Sequence, residues 1–546
     1  MTRKAKEAAT RTATSAGSTS FSNPLHADNN KRELALRGGP QVVAAGLVVA
    51  AHAWFLWYLQ AEYEALPDKS DLASVTDYVD LWVPIFLLSM FAEAAWAKYK
   101  EVRLYRVNDT LSSLSLGVLS LLTKKLAAKA LAFFPYVYVW EHFAVTRAFA
   151  TNGALAWWLM FAGKEFSYYC TPSSPLPILP TSTANPAFAY TRTHARGGHT
   201  IAAFWAMHSV HHSSEEYNLA AALHSSVSWL YDLPLALFFP PALFVIHSQF
   251  NLLYQFWIHT PVIGKLGPLE YVLNTPSQHR VHHGKNVYCI DKNYGGTLCI
   301  FDRLFGTFQE ELDQIPIVYG VVHPINTFNP VEANATNWRY IGANFLNLKG
   351  LRNKLGTLYF GPGWIPGASS GTEEYPIPPT STDSTTKYDP RVPAGVSWYI
   401  LAQFGWALVL LTVAIDRLSS TLGHTSLFSA YITWTLLNIG GISDRKSWAF
   451  ASEVVRLVAL VPLGSFAVSL WDESADLGQW AAGFAAWSIV SALYLFAFRA
   501  GLARPLKPAE LGRTNRKQAL IDQTEQHRLA LRACRGRPCP AIMPSS

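Results

Sequence analysis

The chain has 546 residues, half of them hydrophobic and only 15% charged, against about 25% in soluble domains. Its 19 Trp, 24 Tyr and 30 Phe suit membrane–water interfaces, so an ordinary soluble domain is excluded and a polytopic membrane protein is expected. The net charge of +7 is crowded into polar tails, with no basic stretch interleaved with stacking aromatics, which argues for cytosolic tails and against a nucleic-acid partner.

Residues 1–37 are polar and read as a disordered tail without a signal peptide. The first apolar span is expected at about 41–60 and the second at about 79–95. The apolar region 110–144 is interrupted by Lys124, Lys125 and Lys129, which suggests a re-entrant hairpin. A fourth span, 153–169, ends with Lys164 and Glu165. Residues 171–192 carry five prolines and cannot continue a helix. Residues 227–258 form an apolar stretch broken by Pro234, Pro240 and Pro241, expected as a kinked or hairpin pair dipping into the bilayer. The Gly/Pro/Ser-rich 346–396 reads as a linker. Four further spans follow near 397–416, 427–441, 454–470 and 479–498, and a basic polar tail fills 500–546. Residues 38–345 thus read as a membrane-embedded domain, the one for which the resemblance described below implies catalysis, and 397–499 as C-terminal spans. The fold class is all-α. The five cysteines form no C-x-x-C pair, which excludes a zinc finger or disulfide framework.

Histidine usage carries the chemistry. Eleven of the 17 histidines lie between His194 and His283. Two copies of His-x-x-His-His occur there: His208, His211 and His212, then His279, His282 and His283. On a helix, positions i, i+3 and i+4 are neighbours on one face, so each copy is expected to offer three imidazoles from one face. Two such faces turned together would make a cage for more than one metal ion. A single histidine is more often a hydrogen-bonded or solvated ring, and His26, His52, His142, His424 and His527 are read so; His224 and His247 are weak candidates. His194, His199 and His259 are the further candidate ligands. Many imidazoles without a thiolate suit two ions, of iron or of zinc. Iron with open positions would activate dioxygen beside a lipid. A metal transporter is the rival from another class; it would place ionisable residues inside several spans, and those beyond 397 read as nearly free of His and acidic residues.

Trp205-Ala-Met-His208-Ser-Val-His211-His212-Ser-Ser-Glu-Glu-Tyr217-Asn218 resembles the central motif of the fatty acid hydroxylase/sterol desaturase superfamily. Its alkylglycerol monooxygenase branch is resembled further on. The matching segments are Phe250-Asn-Leu-Leu-Tyr-Gln-Phe-Trp-Ile-His259-Thr, Leu266-Gly-Pro-Leu-Glu270-Tyr-Val-Leu-Asn274-Thr-Pro and His279-Arg-Val-His282-His283-Gly. Asp291-Lys-Asn-Tyr-Gly-Gly, Asp302-Arg-Leu-Phe-Gly-Thr-Phe-Gln-Glu-Glu and Tyr319-Gly-Val-Val-His323-Pro-Ile-Asn continue the likeness. It covers roughly 80–345, and more loosely the C-terminal Gly440-Gly-Ile-Ser-Asp-Arg-Lys.

The resemblance implies a multi-pass endoplasmic-reticulum enzyme with a di-iron site at the cytosolic membrane face. Such an enzyme uses dioxygen and tetrahydrobiopterin to hydroxylate the ether-linked carbon of alkylglycerols, and a pterin-recycling reductase would be its partner. It implies His199, His208, His211, His212, His259, His279, His282 and His283 as metal ligands, with His194 the least secure. Glu165, Glu216, Asn218 and Asn274, within or beside these motifs, are candidate catalytic residues that would support the ligating rings. Another lipid hydroxylase or desaturase, or an inactive metal-binding relative, are the alternatives.

One segment departs from the family pattern. Tyr168-Tyr169 is followed by Cys170 and the Pro-rich stretch, and His194 and His199 are one residue further apart than the family's pair. At i, i+5 two side chains sit about 140° apart on a helix. Removing 171–192 would restore the family spacing to His194, so this segment reads as an insertion.

Overall fold

Breakers and caps set the helix boundaries. The computed structural model describes residues 39–123, 133–150, 153–170, 199, 201–223, 229–364, 366, 387–417, 422–471 and 476–502. Sixteen α-helices and no strands occur among these residues. The 171–192 segment, the N-terminal tail, residues 503–546 of the C-terminal tail, His194 and His224 lie outside them.

Helices α1 (Gly39–Ala65) and α2 (Tyr78–Tyr99) realise the first two expected spans. Asp77 caps α2 by accepting from the Asp80 amide, which satisfies an otherwise orphaned donor. Leu88 and Phe91 of α2 are 68% and 72% exposed, an apolar face that only lipid would cover. The 110–144 region gives α3 (Val107–Thr123) and α4 (Phe134–Phe143), while the three lysines between them fall outside the described residues. Helix α5 (Gly153–Cys170) follows.

The 227–258 stretch breaks where its prolines stand. A short α7 (Trp229–Asp232) runs into a 3-10 turn, Leu233–Leu237, and α8 (Pro241–Ile258) begins with proline at its first turn, where the missing N–H costs nothing. The α8 helix is buried along its whole length between α1, α2 and α5 rather than facing lipid. Before α7 lies α6 (Ala202–His208); after α8 come α9 (Pro276–His283) and α10 (Ile300–Phe305), the latter ended by Gly306 at φ +78, a left-handed cap that suits glycine.

Helix α11 (Pro330–Asn347) is capped by Asn329, whose side chain accepts from the amides of Val331 and Glu332. The expected linker is not wholly irregular: it contains α12 (Leu351–Tyr359), which packs against α6 and α11. Helices α13 (Ala394–Arg417), α14 (Leu422–Ser443), α15 (Ala449–Trp471) and α16 (Leu477–Leu502) occupy the four expected C-terminal spans.

Among the described residues, five helices are long and apolar enough to cross a membrane: Gln41–Ala65, Tyr78–Tyr99, Ala394–Thr412, Ala449–Ser469 and Leu477–Arg499; α5 and α14, at two further expected spans, are not among them. The chain is a multi-pass, all-helical membrane protein. One core joins α1, α2, α5 and α8; a second joins α3 to α13–α16.

The C-terminal spans are less apolar inside than their sequence suggests. Arg456 and Glu453 of α15 form a fully buried pair, Nη2 to Oε1 at 2.6 Å. Gln403, Tyr431, Thr435, Asn438 and Tyr399 close the network with hydrogen bonds to the two charges. Every donor and acceptor meets a partner, so the pair reads as a lock between helices rather than a transport path.

Candidate metal centre

Three pieces of chain deliver the histidines. Helix α6 ends at His208, and i→i+3 bonds from the amides of His211 and His212 to the carbonyls of His208 and Ser209 continue it as a tight turn. The second copy of the motif lies wholly on α9. His259 is the C-terminal cap of α8. His199 stands close by, its ring 5.0 Å from that of His212 and 5.2 Å from that of His282.

The rings assemble into two clusters of four, each with its ligand atoms within 4.8 Å of one another. One holds His199, His208, His212 and His282; the other holds His211, His259, His279 and His283. The two motifs do face each other, as the spacing suggested, but neither keeps its three rings together at one point. Each gives its i and i+4 rings to one cluster and sends its i+3 ring across to the other. His212 and His283 stack at 4.3 Å between centroids and form the wall that the clusters share.

In the second cluster, His259 Nε2 lies 3.3, 3.1 and 3.0 Å from the Nε2 atoms of His211, His283 and His279. His259 Nδ1 is 2.7 Å from the Gln255 carbonyl. A carbonyl only accepts, so this nitrogen carries the proton and Nε2 is a bare lone pair. Three neighbours cannot all donate to it. A cation at the middle resolves the conflict, since a tetrahedral ion with metal–nitrogen bonds of about 2.0–2.1 Å sets its ligand nitrogens about 3.3 Å apart. In the first cluster His208 and His212 meet Nε2 to Nε2 at 3.0 Å, and His282 Nδ1 faces the Lys292 carbonyl at 3.1 Å, which fixes its tautomer in the same way. The His199 Nε2 is buried without a hydrogen bond.

Burial disfavours the charged form of six of these rings. It pushes His259 down to about 3 and His282 to about 4. His199, His212, His279 and His283 lie well below 6.5, through burial first and neighbouring imidazoles second. Neutral imidazole is the form that binds metal. Trp205 and Tyr294 pack on the first cluster and Tyr217 on the second.

The fatty acid hydroxylase family model matches residues 183–307, which span the described histidines of both clusters. An alkylglycerol monooxygenase from Danio rerio is 36% identical over 411 residues, covering 73% of this chain and 86% of that protein. The alkylglycerol monooxygenases of Homo sapiens and Caenorhabditis elegans are 36% and 30% identical, over 84% and 79% of their lengths. The chain belongs to the alkylglycerol monooxygenase family. It is an oxidoreductase of that family, and the shared region takes in 73% of it. No solved structure matches the chain.

The four polar candidates in this family member hold the scaffold rather than the rings. Glu165 accepts from Asn251 at 2.7 Å and from the amides of Thr297 and Leu298 at 2.8 and 2.9 Å. Glu216 accepts from Arg106 and Lys387. Asn218 donates to the Leu104 carbonyl, and Asn274 to those of Gly295 and Gly296.

Sequence reasoning passed over Arg280, set between two motif histidines. It is fully buried and forms a two-pronged pair with Glu311, Nε–Oε1 3.0 Å and Nη2–Oε2 2.7 Å. Its Nη1 donates to the carbonyls of Thr260 and Ile263 just after His259. It thereby ties α9 to the end of α8. Glu93, inside the second span, was also missed; it accepts from Tyr105, Thr260 and the Leu219 amide. A carboxylate within an apolar span was its signal.

Proposed function

We propose that the two clusters hold two iron ions and that the chain is an O2- and tetrahydrobiopterin-dependent monooxygenase acting on alkylglycerols. The observation that carries this is the pair of interlocked four-imidazole clusters, one fully and one partly buried and both free of thiolates, in a chain homologous to alkylglycerol monooxygenases over most of its length. Nitrogen-only sites suit iron or zinc, and an oxidoreductase requires the ion that changes redox state. Bound iron would supply dioxygen activation: with two electrons from the pterin and two protons, one oxygen atom would enter a C–H bond of the ether-linked carbon and the other would leave as water, and the hemiacetal would open to a fatty aldehyde and a glycerol derivative.

The chain's own residues supply the rest. The eight imidazoles present bare nitrogens; for His259 and His282, backbone carbonyls fix which nitrogen is bare. Trp205 and Tyr294 pack against His199 and Tyr217 against His283, which restricts how these rings can turn. The five candidate spans keep the lipid substrate beside the site. The site faces the cytosol in the endoplasmic-reticulum membrane, where a pterin-recycling reductase would reach it.

The test is aldehyde release from a long-chain alkylglycerol by membranes carrying the chain, with and without tetrahydrobiopterin, alongside a version lacking 171–192. Pterin-dependent aldehyde from the chain as it stands supports the proposal and shows that the segment is tolerated. Aldehyde from the shortened form alone keeps the reading and marks 171–192 as disabling. No aldehyde from either, with iron bound, transfers the chemistry to another lipid.

A further inference from the structure

The loop after the first histidine motif is gripped from three directions. Residues 213–216 follow His212 directly. Ser214 Oγ donates to Asp109 Oδ2 at 2.6 Å, and the Glu215 amide meets Asp109 Oδ1 at 3.3 Å. Arg106 donates through Nε to Glu216 Oε1 at 2.5 Å and approaches Glu215 at 3.4 Å. Both Arg106 and Asp109 are buried at the start of α3.

The third grip comes from far along the chain. Residues 387–389 form a strap leading into α13. Lys387 pairs with Glu216 Oε2 at 2.6 Å. The Tyr388 amide donates to Glu215 Oε2 at 2.8 Å, and its carbonyl accepts from Arg106 Nη1 at 2.9 Å. The Tyr388 hydroxyl points the other way and donates to Asp444 Oδ1 at 3.2 Å, just past the end of α14. Asp444 also accepts from Thr327 Oγ1 and, at 2.8 Å, from the Phe328 amide. Gly440 lets α14 close on this joint, because a Cβ there would meet the Asn329 backbone.

We propose that the 387–389 strap is a latch through which the C-terminal bundle positions the first histidine motif, with Tyr388 and Asp444 as its positioning residues. This rests on the reading of the histidine clusters as the metal centre. The C-terminal spans are then more than an anchor. They fix the exit of the turn that carries His211 and His212, one ring for each cluster. Arg106 would serve as the joint's pivot, because it holds the loop and the strap at once.

Tyr388→Phe removes only the hydroxyl and leaves both backbone bonds of the strap in place. Asp444→Asn weakens the same contact from the other side. Both variants, their double, and wild type are purified as full-length protein loaded with ferrous iron, and iron content, kcat, KM and the Mössbauer spectrum are measured. We expect each single variant to lose about tenfold in kcat, the size of effect seen when groups supporting metal ligands are removed. The KM for alkylglycerol stays unchanged, the iron signal shifts, and the double variant loses no more than either single one, as partners in one contact should. Should Asp444→Asn fail to accumulate, Lys387→Ala on the half-buried side of the strap makes the same test. Lowered melting temperature with wild-type kcat per iron and an unmoved spectrum overturns the latch alone. A wild-type protein that takes up no iron overturns the metal-centre reading, and the latch with it.

Discussion

Replacing Arg280 with methionine tests how the two histidine pieces are held in register. The guanidinium is fully buried and satisfies four acceptors: both oxygens of Glu311 and the carbonyls of Thr260 and Ile263. Methionine fills much of the volume but leaves the Glu311 carboxylate without its cation. Removing one partner of a buried pair costs about 3–5 kcal/mol, and each stranded carbonyl adds about 1–3 kcal/mol. Relaxation and entering water will trim the sum, so a loss of about 4–6 kcal/mol is expected. Glu311→Gln in the same background removes the stranded charge and should return about half of it. The assay is thermal unfolding in detergent together with iron content. Because Arg280 sits between His279 and His282 and also grips the residues after His259, iron content should fall with stability. An Arg280→Met protein with wild-type melting and full iron would refute this reasoning.

Other expectations follow from the same geometry. His211→Ala and His282→Ala each remove one ring from a different cluster, so each should halve the iron content and abolish turnover while leaving membrane insertion unchanged; full activity in either rules out the ligand assignment. Stripping the metal with a chelator should lower the melting temperature, since ligand binding to the folded state stabilises it by RT ln(1 + [L]/Kd), about 4 kcal/mol at a thousandfold excess over Kd; an unchanged melting curve would mean that no ion bridges the rings. Arg456→Leu should destabilise the C-terminal bundle by about 3–5 kcal/mol, whereas Arg456→Leu with Glu453→Leu should be near neutral; equal losses in detergent unfolding would contradict the lock.

Much of this was legible in the sequence because the signals were local. Long apolar runs gave the spans, and the prolines at 234, 240 and 241 fell where the helix breaks. Paired His-x-x-His-His motifs announced the clusters. The remainder was invisible because it depends on contacts across long separations. Arg106 reaches Glu216, 110 residues away, and Tyr388 reaches Glu215 across 173. Glu453 and Arg456 were hidden differently: two charges in a long apolar helix barely change its mean hydropathy, and only the structure reveals that they meet each other and the two neighbouring helices α13 and α14. Helix α12 was lost in a window dominated by the Gly/Pro/Ser-rich residues after it.

The exchange of rings between clusters has a simple origin in helical geometry. At about 100° per residue, position i+4 lies about 40° from i, whereas i+3 lies about 60° away on the other side. Positions i+3 and i+4 are then about 100° apart. A triplet cannot aim three short imidazoles at one point without strain, but it can aim two at one point and the third at another. On α9 the pair is His279 and His283 and the outlier is His282. In the first motif, where only His208 is on the helix and His211 and His212 follow on the tight turn, the pair is likewise His208 and His212 and the outlier is His211. Two such elements facing each other contribute three rings to each of two sites, which leaves one vacancy per site. His199 fills one and His259 the other. The doubled motif therefore calls for two further histidines from elsewhere in the chain, and a single copy would leave neither site with more than two rings of its own.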